Sequence, residues 1–131
     1  MKNTEKLLAE RITAYNKSEK LGREIHIFEE IPSTNTYAKE LAAKGAAHGT
    51  TVIAESQTGG KGRLGRKFES PSGAGIYMSV IIRPEFNISL ATFITSAAAV
   101  AAAESAEKLC GENIRIKWVN DLYLNGKKIC G

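Results

Sequence analysis

Residues 57–75 read Gln-Thr-Gly-Gly-Lys-Gly-Arg-Leu-Gly-Arg-Lys-Phe-Glu-Ser-Pro-Ser-Gly-Ala-Gly, a polar stretch with six glycines and one proline. Lys61, Arg63, Arg66 and Lys67 fall within seven residues and alternate with glycines. Glycine lets backbone amides come close to an anion, and a guanidinium holds phosphate or carboxylate oxygens two at a time. Such a loop suits a polyanionic ligand that it covers after binding; the other reading is a solvated basic loop. Gly60, Gly62 and Gly65 match the G-x-G-x-x-G spacing. A dinucleotide site would need a helix to open there, so that its amides meet the pyrophosphate. Arg66 to Gly73, with Pro71 inside, does not begin a helix. A phosphate loop of the Gly-Lys-Ser/Thr kind is excluded, because that triplet does not occur.

Two other clusters have chemical potential. Lys117-Trp-Val-Asn-Asp121 is followed by Lys127 and Lys128. Asn120 and Asp121 close a turn, or hold Mg²⁺ through oxygen together with substrate phosphates. Ser33-Thr34-Asn35 stands where a strand gives way to a helix. It is an ordinary helix cap, or a set of short polar groups for a small polar head group. His26 and His48 have no neighbours at metal-ligand spacing and read as structural or exposed. No Ser-His-Asp or Cys-His set is expected.

The elements that position these clusters follow from periodicity. Thr4 to about Lys20 reads as a helix through Leu8, Ile12 and Tyr15, with Gly22 as its stop. Arg23 to Glu29 reads as a strand ended by Pro32. Ser33 or Thr34 caps a second helix that Gly45 closes. Residues 50–55 and 76–82 read as strands, the second stopped by Pro84. Asn87 or Ser89 caps a long helix to Cys110, with Leu90, Phe93, Ile94, Ala97 and Ala101 expected on its buried stripe and Gly111 as its stop. Residues 113–118 alternate as a strand. Residues 122–129 read as a hairpin turning at Asn125-Gly126, a pair suited to the positive φ angles of a type I′ turn. The expected fold class is α+β (α/β-like), a mixed sheet with helices packed on it.

The chain has 131 residues, enough for a real core, and 43% of them are hydrophobic, as in ordinary globular domains. Eighteen basic against fourteen acidic residues leave +4, which permits an anionic partner without demanding one. The longest strictly apolar run is Ala97–Ala103, far below the ~20 residues of a membrane span, so no membrane is expected. No secretory signal is expected from the residues that open the sequence. Cys110 and Cys130 are expected as buried reduced thiols, which implies a cytoplasmic protein. The chain stops one residue after an apolar strand, which reads as truncation; a sheet edge exposed there would favour association, including a homodimer.

Taken together, the three clusters resemble the biotin–protein ligases. The match rests on Ser33-Thr34-Asn35, on Gln57-x-x-Gly60-x-Gly62-Arg63-x-Gly65-Arg66, and on Ser70-Pro71-x-Gly73 with Tyr77 and Ser79. It continues in Lys117-Trp118-x-Asn120-Asp121-Leu122-Tyr123 and Lys128-Ile129-x-Gly131. These blocks follow the family's order and spacing from about residue 25 onward. The resemblance implies a fold akin to class II aminoacyl-tRNA synthetases, here the N-terminal half of a catalytic domain over 23–131, with 1–22 as a helix too short for a DNA-binding module. It implies an ATP-dependent ligase that makes biotinyl-5′-AMP and passes biotin to a lysine of a carboxylase's biotin carboxyl carrier domain, with no DNA bound. The alternatives are a non-catalytic biotin-binding fragment and a lipoate-directed relative. Carried over by position, Ser33, Thr34, Asn35, Gln57, Gly60, Lys61 and Gly131 would face biotin. Gly62, Arg63, Arg66, Phe68 and Asn120 would face ATP or the adenylate. Arg63, Lys117 and Lys128 would be catalytic, and Asp121 would assist Mg²⁺ through the phosphates. Three positions depart from the family pattern: Lys61 stands for arginine, Phe68 for tryptophan and Val119 for proline.

Overall fold

The computed structural model describes residues 7–131. The chain divides into two compact units, one through Arg83 and one from Pro84 to Gly131.

In the first unit, α1 (Ala9–Tyr15) precedes β1 (Ile25–Ile31), α2 (Thr34–Ala43), β2 (Thr51–Gln57) and β3 (Tyr77–Val80). The sheet order is β1-β2-β3. β1 and β2 run parallel, with Ile31 opposite Gln57, and α2 is the crossover. β3 returns antiparallel, with Val52 opposite Ser79 and Ala54 opposite Tyr77. The sheet is therefore mixed, as expected. Thr51-Val-Ile-Ala54 is buried at four successive positions, the pattern of a central strand covered on both faces. Val52, Ala38 and Ile81 form the core, with Phe28, Tyr37 and Leu41 packed on it. The Phe28 and Tyr37 rings meet edge to face at 4.9 Å. Arg83 donates to the carbonyls of Ala42, in the last turn of α2, and Ala46, just beyond it, at 2.8 and 2.9 Å.

The first helix is shorter than expected, and residues 4–6 lie outside the described residues. Asn16 ends it by turn chemistry. Its carboxamide donates to the Leu21 carbonyl at 2.8 Å and accepts from the Ser18 amide at 2.9 Å, and Gly22 at φ +69° completes the reversal.

In the second unit a single 3₁₀ turn, Ile88–Leu90, runs into α3 (Ala91–Cys110). The Asn87 side chain accepts from the Ser89 amide and Gly111 closes the helix at φ +70°. β4 (Arg115–Lys117), β5 (Asp121–Leu124) and β6 (Lys127–Cys130) form an antiparallel meander in that order. Asn125 and Gly126, at φ 49° and 76°, turn the hairpin as anticipated. Ala99 and Ala103 of α3 pack on Ile114 and Leu122, the latter 1% exposed.

Two expectations about this unit are corrected. The buried face of α3 is Ala99 and Ala103, not the stripe through Leu90, Phe93, Ala97 and Ala101; Phe93 is 70% exposed. This helix is apolar nearly all round, so periodicity could not choose the face, and Ile114 and Leu122 choose it. By length and composition alone the segment Ile88–Cys110 would reach across a membrane, a test that core helices also pass. Cys110 and Cys130 are free thiols, but both are exposed, one at a helix end and one on the exposed edge strand β6.

Candidate functional site

The site in the first unit begins where α2 begins. Pro32 ends β1, and Ser33 in an extended conformation caps the helix by accepting from the Thr36 amide at 3.4 Å. Ser33 and Thr34 are both 4% exposed. Gln57, the last residue of β2, reaches this turn: its carboxamide oxygen accepts from the Thr34 amide at 2.8 Å and from Thr34 Oγ1 at 3.2 Å. Thr34 Oγ1 also meets Ser79 Oγ of β3 at 2.9 Å. The amide nitrogen of Gln57 donates to Ser70 Oγ at 3.0 Å, and that hydroxyl donates to the Phe68 carbonyl at 3.0 Å. A polar line thus crosses from β3 over the start of α2 and the end of β2 to the far arm of the Gly-rich loop.

The loop is folded back on itself. Gln57 pairs with Ser70 and Lys61 with Lys67 in two antiparallel rungs. The Gly62 amide donates to the Arg66 carbonyl at 2.7 Å and the Phe68 amide to the Gly60 carbonyl at 2.8 Å. At the tip, Leu64 and Gly65 take φ 58° and 74°, the left-handed pair of a type I′ turn. Gly60 is buried in the base, where a Cβ would strike the Phe68 carbonyl and stand 2.7 Å from Ser70 Oγ. Lys61, Arg63 and Arg66 are exposed toward the tip, and Phe68 is exposed beside the base; Lys67 pairs with Glu69 at 3.3 Å. Cations at the end of a hairpin rooted in buried polar groups can meet an anion while the base holds a neutral polar group.

The second unit carries its own cluster. Lys128 Nζ lies 3.0 Å from Asp121 Oδ1, and Asp121 is the less exposed partner. Gly131 sits against this pair, with no room for a Cβ: it would be 2.7 Å from Lys128 Nζ and 2.9 Å from the Asp121 carboxylate. Lys117 lies opposite Asp121 in the ladder, its Nζ 6.0 Å from the centre of the Tyr123 ring. Asn120 is half-buried in the preceding turn.

Of the residues singled out from sequence, the structure brings together Ser33, Thr34, Gln57 and Gly60 in one unit, and Asp121, Lys128 and Gly131 in the other. Asn35 is exposed beside the first group. The sequence reading assigned no role to Ser70 or Ser79. Their signal was present, since both lie in matched blocks, but only pairing across the sheet shows what they touch. Asp121, already held by Lys128, does not by itself make a metal site, and no group of three His, Cys, Asp or Glu among the described residues could hold one. Mg²⁺ takes most of its ligands from water and phosphate.

Comparison with known proteins gives one consistent answer. Residues 27–131 match the model of the biotin/lipoate A/B protein ligase family. The chain is 39% identical over 115 residues to the bifunctional ligase/repressor BirA of Bacillus subtilis, covering 88% of this chain and 35% of that one. It is 37% identical over 103 residues to the biotin–[acetyl-CoA-carboxylase] ligase of Paracoccus denitrificans, covering 76% and 41%. Among solved structures, the biotin protein ligase of Aquifex aeolicus in complex with biotin and ATP superposes with a TM-score of 0.64 at 30% identity, covering 82% of this chain and 44% of that one. The chain thus spans 35% to 44% of the length of these three relatives.

Proposed function

Because the chain belongs to the biotin/lipoate A/B protein ligase family, we propose that it is part of a biotin–protein ligase, which joins biotin to ATP and passes it from biotinyl-5′-AMP to a lysine of a biotin carboxyl carrier domain. The observation that supports this best is the Thr34–Gln57–Ser70 line at the root of a loop bearing Lys61, Arg63, Arg66 and Lys67. Biotin has a neutral ureido ring at one end and a carboxylate at the other. Short hydroxyls and a carboxamide suit the ring, and the loop's cations suit the carboxylate and the phosphates.

The chemistry asks for little proton transfer at first. The biotin carboxylate oxygen attacks the α-phosphorus of ATP, the bond to the β-phosphate breaks, and pyrophosphate leaves. The obstacle is repulsion between two anions, and fixed cations lower it. Arg63 in the loop, and Lys117 and Lys128 of the second unit, are cations of the required kind. In the second step the carrier lysine's amine attacks the acyl carbon of the mixed anhydride and AMP leaves. A loop covering the anhydride keeps water from it. We assign Ser33, Thr34, Asn35, Gln57, Gly60, Lys61 and Gly131 to biotin. Gly62, Arg63, Arg66, Phe68 and Asn120 are assigned to the nucleotide. Asp121, paired with Lys128, orients that lysine. A cytoplasmic location is part of this proposal, favoured by two cysteines that are free and not joined in a disulfide. The proposal concerns the ligase reaction alone.

Biotin-dependent ATP–pyrophosphate exchange tests the reading, with lipoate as the control acid. Exchange with biotin alone supports it, and exchange with lipoate alone replaces it by the lipoate-directed reading. Biotin binding without exchange makes this chain a binding part of the ligase. Neither binding nor exchange sinks the proposal. Arg63→Ala is expected to reduce exchange about a hundredfold, the usual cost of losing one charge-stabilising donor; undiminished exchange removes Arg63 from the role.

A further inference from the structure

Ser70 lies thirteen residues beyond Gln57, is 4% exposed, and is joined to it twice. The Gln57 amide donates to the Ser70 carbonyl at 3.0 Å, and the Gln57 side chain donates to Ser70 Oγ at the same distance. The hydroxyl then spends its own proton on the Phe68 carbonyl at 3.0 Å. It accepts and donates at once, which an alcohol does and an aliphatic side chain does not. The consequence reaches Gln57. A carboxamide can present either end, and here the nitrogen is drawn to Ser70, which leaves the oxygen facing Thr34 Nα and Oγ1. Phe68 in turn donates its amide to Gly60 on the loop's other arm. Ser70 Oγ at one end and the Thr34 amide, a donor only, at the other therefore hold the Gln57 carboxamide in one orientation, and Ser70 ties the two arms of the basic loop.

We propose that Ser70 is a positioning residue of this site: it sets the orientation of the Gln57 carboxamide and anchors the Gly-rich loop to it, so that the head-group end and the phosphate-binding end of the site form one unit. The role in ligand binding rests on the biotin–protein ligase reading; the anchoring of the loop does not.

The test compares the 131-residue chain with Ser70→Ala, Ser70→Thr and Ser70→Cys. Trypsin cutting at Lys61, Arg63, Arg66 and Lys67 without ligand reports the anchor, circular dichroism reports the fold, and calorimetry reports biotin affinity. Ser70→Ala, which removes both bonds of the hydroxyl, is expected to be cut about tenfold faster and to bind biotin about tenfold more weakly, with an unchanged circular dichroism spectrum at low temperature and a melting temperature lowered by a few degrees. Ser70→Thr, which keeps the hydroxyl, is expected to restore both. If Ser70→Ala does not fold, Ser70→Cys, which keeps the shape and weakens both bonds, is read in its place. Unchanged cutting in Ser70→Ala, or a threonine variant as impaired as alanine, overturns the proposal. Wild-type affinity in a variant whose loop is loosened overturns the positioning role and leaves the ligase reading intact. A wild-type chain that binds no biotin defeats the ligase reading and the binding role with it, while the cutting rates still decide the anchor.

Discussion

Gly60 has no room for a methyl group. Its Cβ would strike the Phe68 carbonyl, which is backbone and cannot swing aside, and would crowd Ser70 Oγ and the Gln57 amide nitrogen at 2.7 and 3.1 Å. Gly60→Ala is therefore expected to force the loop's arms apart, at about 1–3 kcal/mol of strain. Faster trypsin cutting within residues 61–67 and a biotin affinity at least about tenfold weaker are the expected outcomes. A variant with wild-type cutting would show that the base of the loop yields more easily than its packing implies. The contrast with Gly131 is instructive. A Cβ there would meet the end of the Lys128 side chain and the Asp121 carboxylate, side-chain groups that can shift where backbone cannot, so crowding at that position would disturb the Lys128–Asp121 pair before it strained the chain.

The loop tip and the end of α3 both depend on left-handed residues, and the two sites use different amino acids. Leu64 takes φ 58° and ψ 35° while 95% exposed, so it bears the cost of that conformation with no packing to offset it. Leu64→Asn would supply the Asn-Gly pair that type I′ turns favour. It is expected to stabilise the hairpin by about 1 kcal/mol and slow trypsin cutting after Arg63. Faster cutting would mean that the turn is held by contacts other than its own dihedrals. Gly111 has open space around its Cβ position, so its φ of +70° is the sole demand on it. Gly111→Ala is expected to cost about 1 kcal/mol, visible as a lowered melting temperature with unchanged helix content at low temperature.

Each of the two units has its own core. Val52, Ala38 and Ile81 hold the first; Ala99, Ala103, Ile114 and Leu122 hold the second, with no residue shared. Leu122→Ala is expected to cost about 2–5 kcal/mol, because it leaves a cavity under α3. Hydrogen exchange is the measurement: amides of α3, β4 and β5 should lose protection while those of β2 keep theirs. Equal loss in β2 would mean that the units unfold together. In the second unit, Phe93 and Val100 lie seven residues apart on α3 and are both exposed, 70% and 46%, so one apolar stripe of this helix faces solvent among the described residues.

Much of this was legible in the chain itself. Val-Ile-Ala after Thr51, Asn125-Gly126, Gly111, and Ser33 ahead of α2 are local signals, and each specified its strand, turn, stop or cap, because capping and turn chemistry act within a few residues. The ordered blocks from Ser33 to Gly131 likewise identified the family, which residues 27–131 then matched. Tertiary structure decided what one-dimensional order does not contain. It chose the buried face of α3, since a helix made largely of alanine offers several and the partner strands select one. It joined Gln57 to Thr34 and Ser70, residues 23 and 13 positions away, through hydrogen bonds that exist only once β1, β2 and β3 are in register. Ser70 was visible in the sequence as part of a motif, and it became a functional candidate only when the fold placed its hydroxyl 3.0 Å from the Gln57 carboxamide.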